Sequence, residues 1–149
     1  MIEVKPLKAE DILWVIDNGV KEVALRATPT EEMKRIAKER EEEGTCITGW
    51  VDGEIVGVAG IDELWDGVGD IWLMLTPFID KHVKETYKCI LEGMKKLIKD
   101  NDLRRVQSYG RTDFAQCHIL FKHLGFEVEG LARKYTPDGC DAIIYAKVK

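Results

Sequence analysis

Three basic side chains, Lys81, His82 and Lys84, stand within four residues of one another at the head of a long apolar-periodic stretch. Such groups at a helix start suit an anion, because unpaired backbone N–H groups and the helix dipole already favour negative charge there. A phosphate held by these side chains is one reading; a solvated helix terminus carrying ordinary charges is the other. The acids Asp62, Glu63, Asp66 and Asp70 gather in a turn-rich stretch upstream. A carboxylate works as a general base only where it reaches the proton and its pKa is raised, and the plainer role for these four is to cap turns. Cys46, Cys89, Cys117 and Cys140 form no Cys-x-x-Cys pair and no Cys/His cluster of zinc type, so they read as free, buried or half-buried thiols. His118 and His123 are five apart on one short predicted helix and do not share a face as metal ligands would; they read as surface or rim histidines. Cys117 beside His118 is no catalytic dyad by adjacency alone.

The element that must position the basic cluster is the helix predicted over residues 80–99. There Val83, Tyr87, Ile90, Leu91, Met94, Leu97 and Ile98 recur at steps of three and four. Strands predicted over 45–51, 54–61 and 68–75 precede it. They are separated by Asp52-Gly53 and by Leu64-Trp65-Asp66-Gly67, and Asp-Gly supplies the positive φ angles of a tight hairpin. Further upstream, residues 2–7 alternate and meet Pro6, a first strand. Residues 9–24 suit two short helices broken at Asn18-Gly19. Thr28-Pro29-Thr30-Glu31 opens another helix, with Thr28 as cap, Pro29 at the first helical position and Glu31 completing a capping box. That helix runs to Gly44. Downstream come a strand over 104–109, a helix capped by Thr112 or Asp113 and ending before Gly125, and two strands around Pro137-Asp138-Gly139. The order βαα-βββ-α-β-α-ββ predicts an α/β (α+β) architecture: a mixed central sheet of six to seven strands flanked by helices on both faces.

A length of 149 residues predicts a single domain over 1–149, and 45% hydrophobic with 33% charged residues describes a folded chain with both signs on its surface. A net charge of -5 argues against a general nucleic-acid binder, which needs Lys and Arg in excess on one face. No apolar run reaches the 18 residues or so that span a bilayer, and Met1-Ile2-Glu3-Val4-Lys5 begins like a strand rather than a signal peptide. The expectation is a cytoplasmic protein with no membrane partner.

Phe121-Lys122-His123-Leu124-Gly125-Phe126, followed by Glu129-Gly130 and Asp138-Gly139-Cys140-Asp141, resembles the C-terminal half of a GNAT acyl-CoA N-acyltransferase. The element order resembles that fold over nearly the whole chain. The resemblance implies an N-acetyltransferase that binds acetyl-CoA, without a metal, between splayed strands 68–75 and 104–109. Backbone groups of Trp72, Leu73, Met74 and Leu75 would pair with pantetheine. An amine acceptor, small molecule or protein, would attack the thioester directly, with Asp70 or Glu63 accepting its proton through water. The family's Arg/Gln-x-x-Gly-x-Gly loop should follow Trp72-Leu73-Met74-Leu75-Thr76-Pro77. Here Asp80 stands at the Arg/Gln position, and Val83 and Glu85 stand at the two glycines. Lys81, His82, Val83 and Lys84 are then the pyrophosphate contacts. A carboxylate at the helix start opposes them.

The family's tyrosine general acid corresponds to Phe121, which has no proton to donate. Tyr87, Tyr109 or Tyr135 is left to substitute, or to serve as a core or rim aromatic. Trp65, in the turn after Ile61, and Trp72 flank the point where family members bind substrate, either lining an acceptor pocket or, as is commoner for a strand tryptophan, packing in the core. Leu75-Thr76-Pro77-Phe78-Ile79-Asp80-Lys81-His82 and Arg133-Lys134-Tyr135 with Asp138-Gly139 look most like divergent bacteriophage GNAT-like proteins, internal virion proteins among them. That likeness implies an alternative: the fold kept as a virion or interaction module without chemistry, in a host cytoplasm or a virion. A sensor that binds CoA without turnover lies between. A monomer or a homodimer is expected, the edge of the C-terminal hairpin offering a pairing surface.

Overall fold

The computed structural model describes residues 1–19 and 30–149. Two compact units divide the chain: Met1–Ile61 with Trp72–Cys89, and Asp62–Ile71 with Ile90–Lys149. Among the described residues the strands form a seven-stranded sheet in the order β1-β2-β3-β4-β5-β7-β6. β4 and β5 pair in parallel, while β1 with β2, β2 with β3, β5 with β7 and β6 with β7 pair antiparallel, so the predicted mixed sheet is present. No described helix is long and apolar enough to cross a membrane.

The first unit begins with β1 (Glu3–Pro6) and α1 (Ala9–Asn18). Ile12, Val15 and Ile16 recur at helical spacing and close, with Leu7, Ala37, Cys46, Ile55 and Val58, into one buried cluster. Asp11 lies on that inward face. Its Oδ2 accepts the Lys8 backbone N–H at 3.0 Å and the Thr48 hydroxyl at 2.8 Å, which pins α1 to the sheet. α2 (Glu31–Glu43) is capped by Thr30, whose hydroxyl accepts the Met33 N–H at 3.2 Å, so Glu31 is the first helical residue and not the third. The predicted cap Thr28, Pro29 and the second short helix after Gly19 lie outside the described residues. α2 ends on Gly44 at φ 71°, a left-handed turn that glycine adopts at no steric cost.

β2 (Ile47–Val51) and β3 (Glu54–Trp65) meet at Asp52 and Gly53, with φ of 50° and 80°, the twist a two-residue hairpin needs. β3 runs four residues past its predicted end. Leu64 and Trp65 therefore belong to the strand, because Asp66 and Gly67 alone make the turn into β4 (Val68–Leu75). A 3-10 turn, Pro77–Lys81, follows β4, and α3 (Val83–Asp100) starts three residues later than predicted. The cause is local: Ile79 N–H bonds to Thr76 C=O and His82 N–H to Ile79 C=O, the three-residue spacing of a tighter helix. Thr76, fully buried, anchors this turn by donating its hydroxyl to Ile55 C=O at 2.6 Å.

The second unit holds most of α3, then β5 (Arg105–Arg111), α4 (Ala115–His123), β6 (Glu127–Ala132) and β7 (Ala142–Val148). Met94, Leu103 and Val106 are almost wholly buried. α4 carries no side-chain cap. Asp113 is instead gripped by Arg111, with Nε to Oδ1 3.0 Å and Nη2 to Oδ2 3.1 Å, while Thr112 donates to Asp141 C=O. Gly110 lets α4 lie close to β5, since a Cβ there would stand 2.9 Å from Cys117 Sγ. β6 and β7 are joined by a longer loop than the predicted Pro137-Asp138-Gly139 turn.

Candidate active site

Along β4 the backbone alternates between two edges. Thr76 N–H donates to Val56 C=O on β3 at 3.0 Å, and Ile71 C=O accepts the Ser108 hydroxyl at 2.9 Å on the other side. The main-chain groups of Trp72 and Met74 therefore face β3, and those of Leu73 and Leu75 face away from it. The parallel ladder with β5 covers Val68, Gly69 and Asp70 against Arg105, Val106 and Gln107 and goes no further. Leu73 and Leu75 lie beyond its end. Of the four residues expected to offer backbone to pantetheine, two present it at this edge. Trp72 and Met74 instead pack their side chains against the first core, and Arg40 lies 4.5 Å from the Trp72 ring centre.

The same strand leads into α3. His82 N–H is already bonded to Ile79 C=O, and the first helical bond is Thr86 N–H to His82 C=O. The amides of Val83, Lys84 and Glu85 have no acceptor within the helix, which is the arrangement that attracts an anion. Lys81 and Lys84 are exposed beside them, His82 is half-buried, and the Val83 side chain is 56% exposed. Asp80, expected at the helix start, sits in the preceding 3-10 turn; Glu85, in the first turn of α3, is the carboxylate that opposes an anion. Amides without a helical acceptor, flanked by Lys81, His82 and Lys84, fit a pyrophosphate, although Val83 and Glu85 stand where the resembled loop has two glycines.

The two candidate bases differ sharply. Glu63 is exposed near the end of β3. Asp70 is half-buried on β4, and its Oδ1 is fully buried with no hydrogen-bond partner among the described residues. On its register neighbour Gln107, Oε1 accepts from Arg105 Nε at 2.9 Å, while Arg105 forks onto Glu129. In the same unit Tyr109 and Tyr135 stack with ring centres 4.4 Å apart and planes 10° from parallel. Partial burial, and then the nearby Tyr109 and Asp70, push the Tyr135 hydroxyl above its ordinary range, so it keeps its proton at neutral pH. Asp70 Oδ1 and the Tyr135 phenol are the candidates here to take and to give a proton.

Sequence reasoning missed what holds Tyr135. Arg111 binds Asp138 as well as Asp113, with Nη1 to Oδ1 2.7 Å and Nη2 to Oδ2 2.9 Å, and Thr136 donates to Asp138 Oδ1. The only signal was a run of acids and turn residues after β6. His118 is a half-buried rim group with two fixed partners: Nε2 lies 2.7 Å from Arg111 C=O and Nδ1 2.5 Å from the Tyr145 hydroxyl. The carbonyl can only accept, so Nε2 carries the proton and Tyr145 donates to Nδ1. Cys117 is not paired with it; burial and then Asp113 push its thiol up to about 11. Phe121 stacks on Tyr145 at 4.4 Å and meets Phe126 edge-on. Trp65 ends β3 and is 63% exposed. Among the described residues no group of three or more His, Cys, Asp or Glu side chains could hold a metal ion.

Solved structures align with the chain over almost its full length. Ard1 from Thermoplasma volcanium matches with a TM-score of 0.79 at 16% identity, covering 99% of this chain and 97% of that one. The fold is that of the GNAT acetyltransferases. A GNAT-family acetyltransferase from Bacillus anthracis matches with a TM-score of 0.74 at 15% identity, over 99% and 94% of the two chains. The ribosomal-protein-S18-alanine N-acetyltransferase from Escherichia coli matches at 0.75 and 19% identity, over 99% and 94%. No protein-family model matches the sequence, and neither does any curated protein. Identities this low establish the GNAT fold and leave the activity to be argued from the residues.

Proposed function

We propose that this protein is an acetyl-CoA-dependent N-acetyltransferase. The observation that carries the reading is the β4 edge: the main-chain groups of Leu73 and Leu75, left beyond the ladder with β5, lead along one strand to the free amides of Val83, Lys84 and Glu85. Leu73 and Leu75 would pair with the amides of pantetheine, a role for which any side chain serves because N–H and C=O are always present. Lys81, His82 and Lys84 would join the helix amides on the pyrophosphate. Bound acetyl-CoA would supply an activated acetyl thioester. Asp70 Oδ1, buried and without a donor, takes the proton that the attacking amine must lose, directly or through one water. The remaining acceleration comes from holding amine and thioester together. Glu63, exposed near the end of β3, is the second candidate. The acceptor is a primary amine, on a protein terminus or a small molecule; the Escherichia coli neighbour is named for a protein alanine. The protein works in the cytoplasm, as a monomer or homodimer.

The test is calorimetric titration with acetyl-CoA of the wild type and of Lys81→Glu/Lys84→Glu, followed by thiol release with amine acceptors in the wild type and Asp70→Asn. Micromolar binding lost in the double variant supports the pyrophosphate position. No heat at millimolar acetyl-CoA refutes the reading. One observation favours a second reading: Phe121, at the place of the family's proton donor, is packed against Tyr145 and Phe126 and offers no hydroxyl. A GNAT fold kept as an interaction module, for instance in a phage particle, would show that absence together with no acetyl-CoA binding.

A further inference from the structure

A pocket of about 340 Å³ in the first unit lies between α1 and the β2–β3 hairpin, walled by Glu10, Asp11, Trp14, Trp50, Glu54 and Ile55. None of these residues belongs to β4 or α3, so the pocket is separate from the acetyl-CoA reading. We propose that it binds a quaternary or methylated ammonium group.

Three features lead there. First, two indoles line one small concavity, Trp14 38% exposed and Trp50 half-buried, and indole faces attract cations most strongly among the aromatic side chains. Lys5 Nζ lies 5.8 Å from the Trp50 ring centre and does not line the pocket, so a guest there meets the indoles and not the lysine. Second, among the described residues the lining carries three carboxylates and no basic group. Asp11 is spent on Lys8 N–H and Thr48, but Glu10 and Glu54 are exposed and make no ion pair with a described residue. An anion is therefore excluded, and a neutral apolar guest would strip water from these carboxylates without compensating them. Third, a methylated ammonium is weakly hydrated and presents a diffuse charge wrapped in methyl groups, which suits the two indole walls, while the carboxylates at the rim match its sign.

The experiment titrates the full chain with choline and, separately, with its neutral isostere 3,3-dimethylbutan-1-ol, at constant ionic strength held with sodium chloride. The readout is the indole N–H resonance of each of the four tryptophans. The proposal expects saturable shifts confined to Trp14 and Trp50, a dissociation constant of about 1 mM, and binding of the alcohol at least about tenfold weaker. Trp14→Ala weakens choline binding at least about tenfold, and Glu10→Gln/Glu54→Gln weakens it several-fold without touching the core. If Trp14→Ala fails to fold, the double glutamine variant carries the test alone. Equal binding of choline and the alcohol, shifts at Trp65 or Trp72 instead, or unchanged choline binding in the glutamine variant would overturn it.

Discussion

Gly60 lies in the middle of β3, where its missing side chain leaves room for a neighbour. A Cβ built there would stand 2.6 Å from Cys46 Sγ, 2.7 Å from Trp72 Cζ2 and 2.9 Å from Trp72 Cε2, all closer than real Cβ atoms come. Two opposing effects decide Gly60→Ala. Alanine gains about 0.5–1 kcal/mol because it restricts the unfolded chain more than glycine does. Overpacking costs about 1–3 kcal/mol, and the upper part of that range applies because neither neighbour can yield cheaply. Cys46 is 2% exposed, and Trp72 is held between the core and Arg40. The clash wins by about 1–2 kcal/mol, which lowers the melting temperature by about 2–8 °C in a chain of this length. Urea and thermal melts followed by far-ultraviolet circular dichroism read this directly. Trp72→Phe removes both indole atoms involved, so the double variant should lose at least about 0.5 kcal/mol less than the sum of the singles. An alanine variant as stable as the wild type, or strict additivity with Trp72→Phe, would refute the packing argument.

Arg111 holds the carboxyl groups of Asp138 and Asp113 below the ordinary carboxylate range. A depressed folded-state pKa stabilises above the unfolded value of about 3.9 and is lost as pH falls through the folded value. The stability gap between wild type and Asp138→Asn should thus be flat from neutral pH down to about pH 4 and shrink below it; denaturation at graded pH checks this, and a gap that persists to the lowest pH would contradict it. Cys117, with its thiol pushed up to about 11, should alkylate with iodoacetamide at pH 8 far more slowly than a free thiol of ordinary pKa. Mass spectrometry of a timed digest reports it, and rapid labelling at Cys117 in folded protein would show that the burial is wrong.

Much of the fold was legible because the local signals agreed with one another. Asp52-Gly53 sits at the β2–β3 turn, Gly44 closes α2, and the apolar period from Val83 to Ile98 is the central helix. Where a residue had a competing partner, the reading failed. Thr112 and Asp113 look like caps, yet one bonds across to Asp141 C=O and the other to Arg111. Pro77 and Asp80 look like a helix start, yet the chain first makes a 3-10 turn anchored by the buried Thr76 hydroxyl. At the candidate site, Asp70 could be named from strand position, but nothing local said that its Oδ1 would be buried without a donor while Glu63 stayed in water. Tyr109 and Tyr135 are 26 positions apart in the sequence and stack across a loop that Arg111 ties down through Asp138. Long-range pairings of this kind leave no period and no spacing to read.

The alternation along β4 has an evolutionary corollary. Leu73 and Leu75 contribute peptide groups to the open edge, and residues 83–85 contribute amides. Every residue type supplies a main-chain carbonyl, and every type but proline supplies an N–H as well. A working surface built from them is transparent to drift: its side chains can be exchanged freely so long as the strand keeps its register and the helix its starting point. Selection then acts on spacing rather than on spelling. That is consistent with a chain that superposes on acetyltransferases with TM-scores of 0.74 to 0.79 while sharing fewer than one residue in five with them.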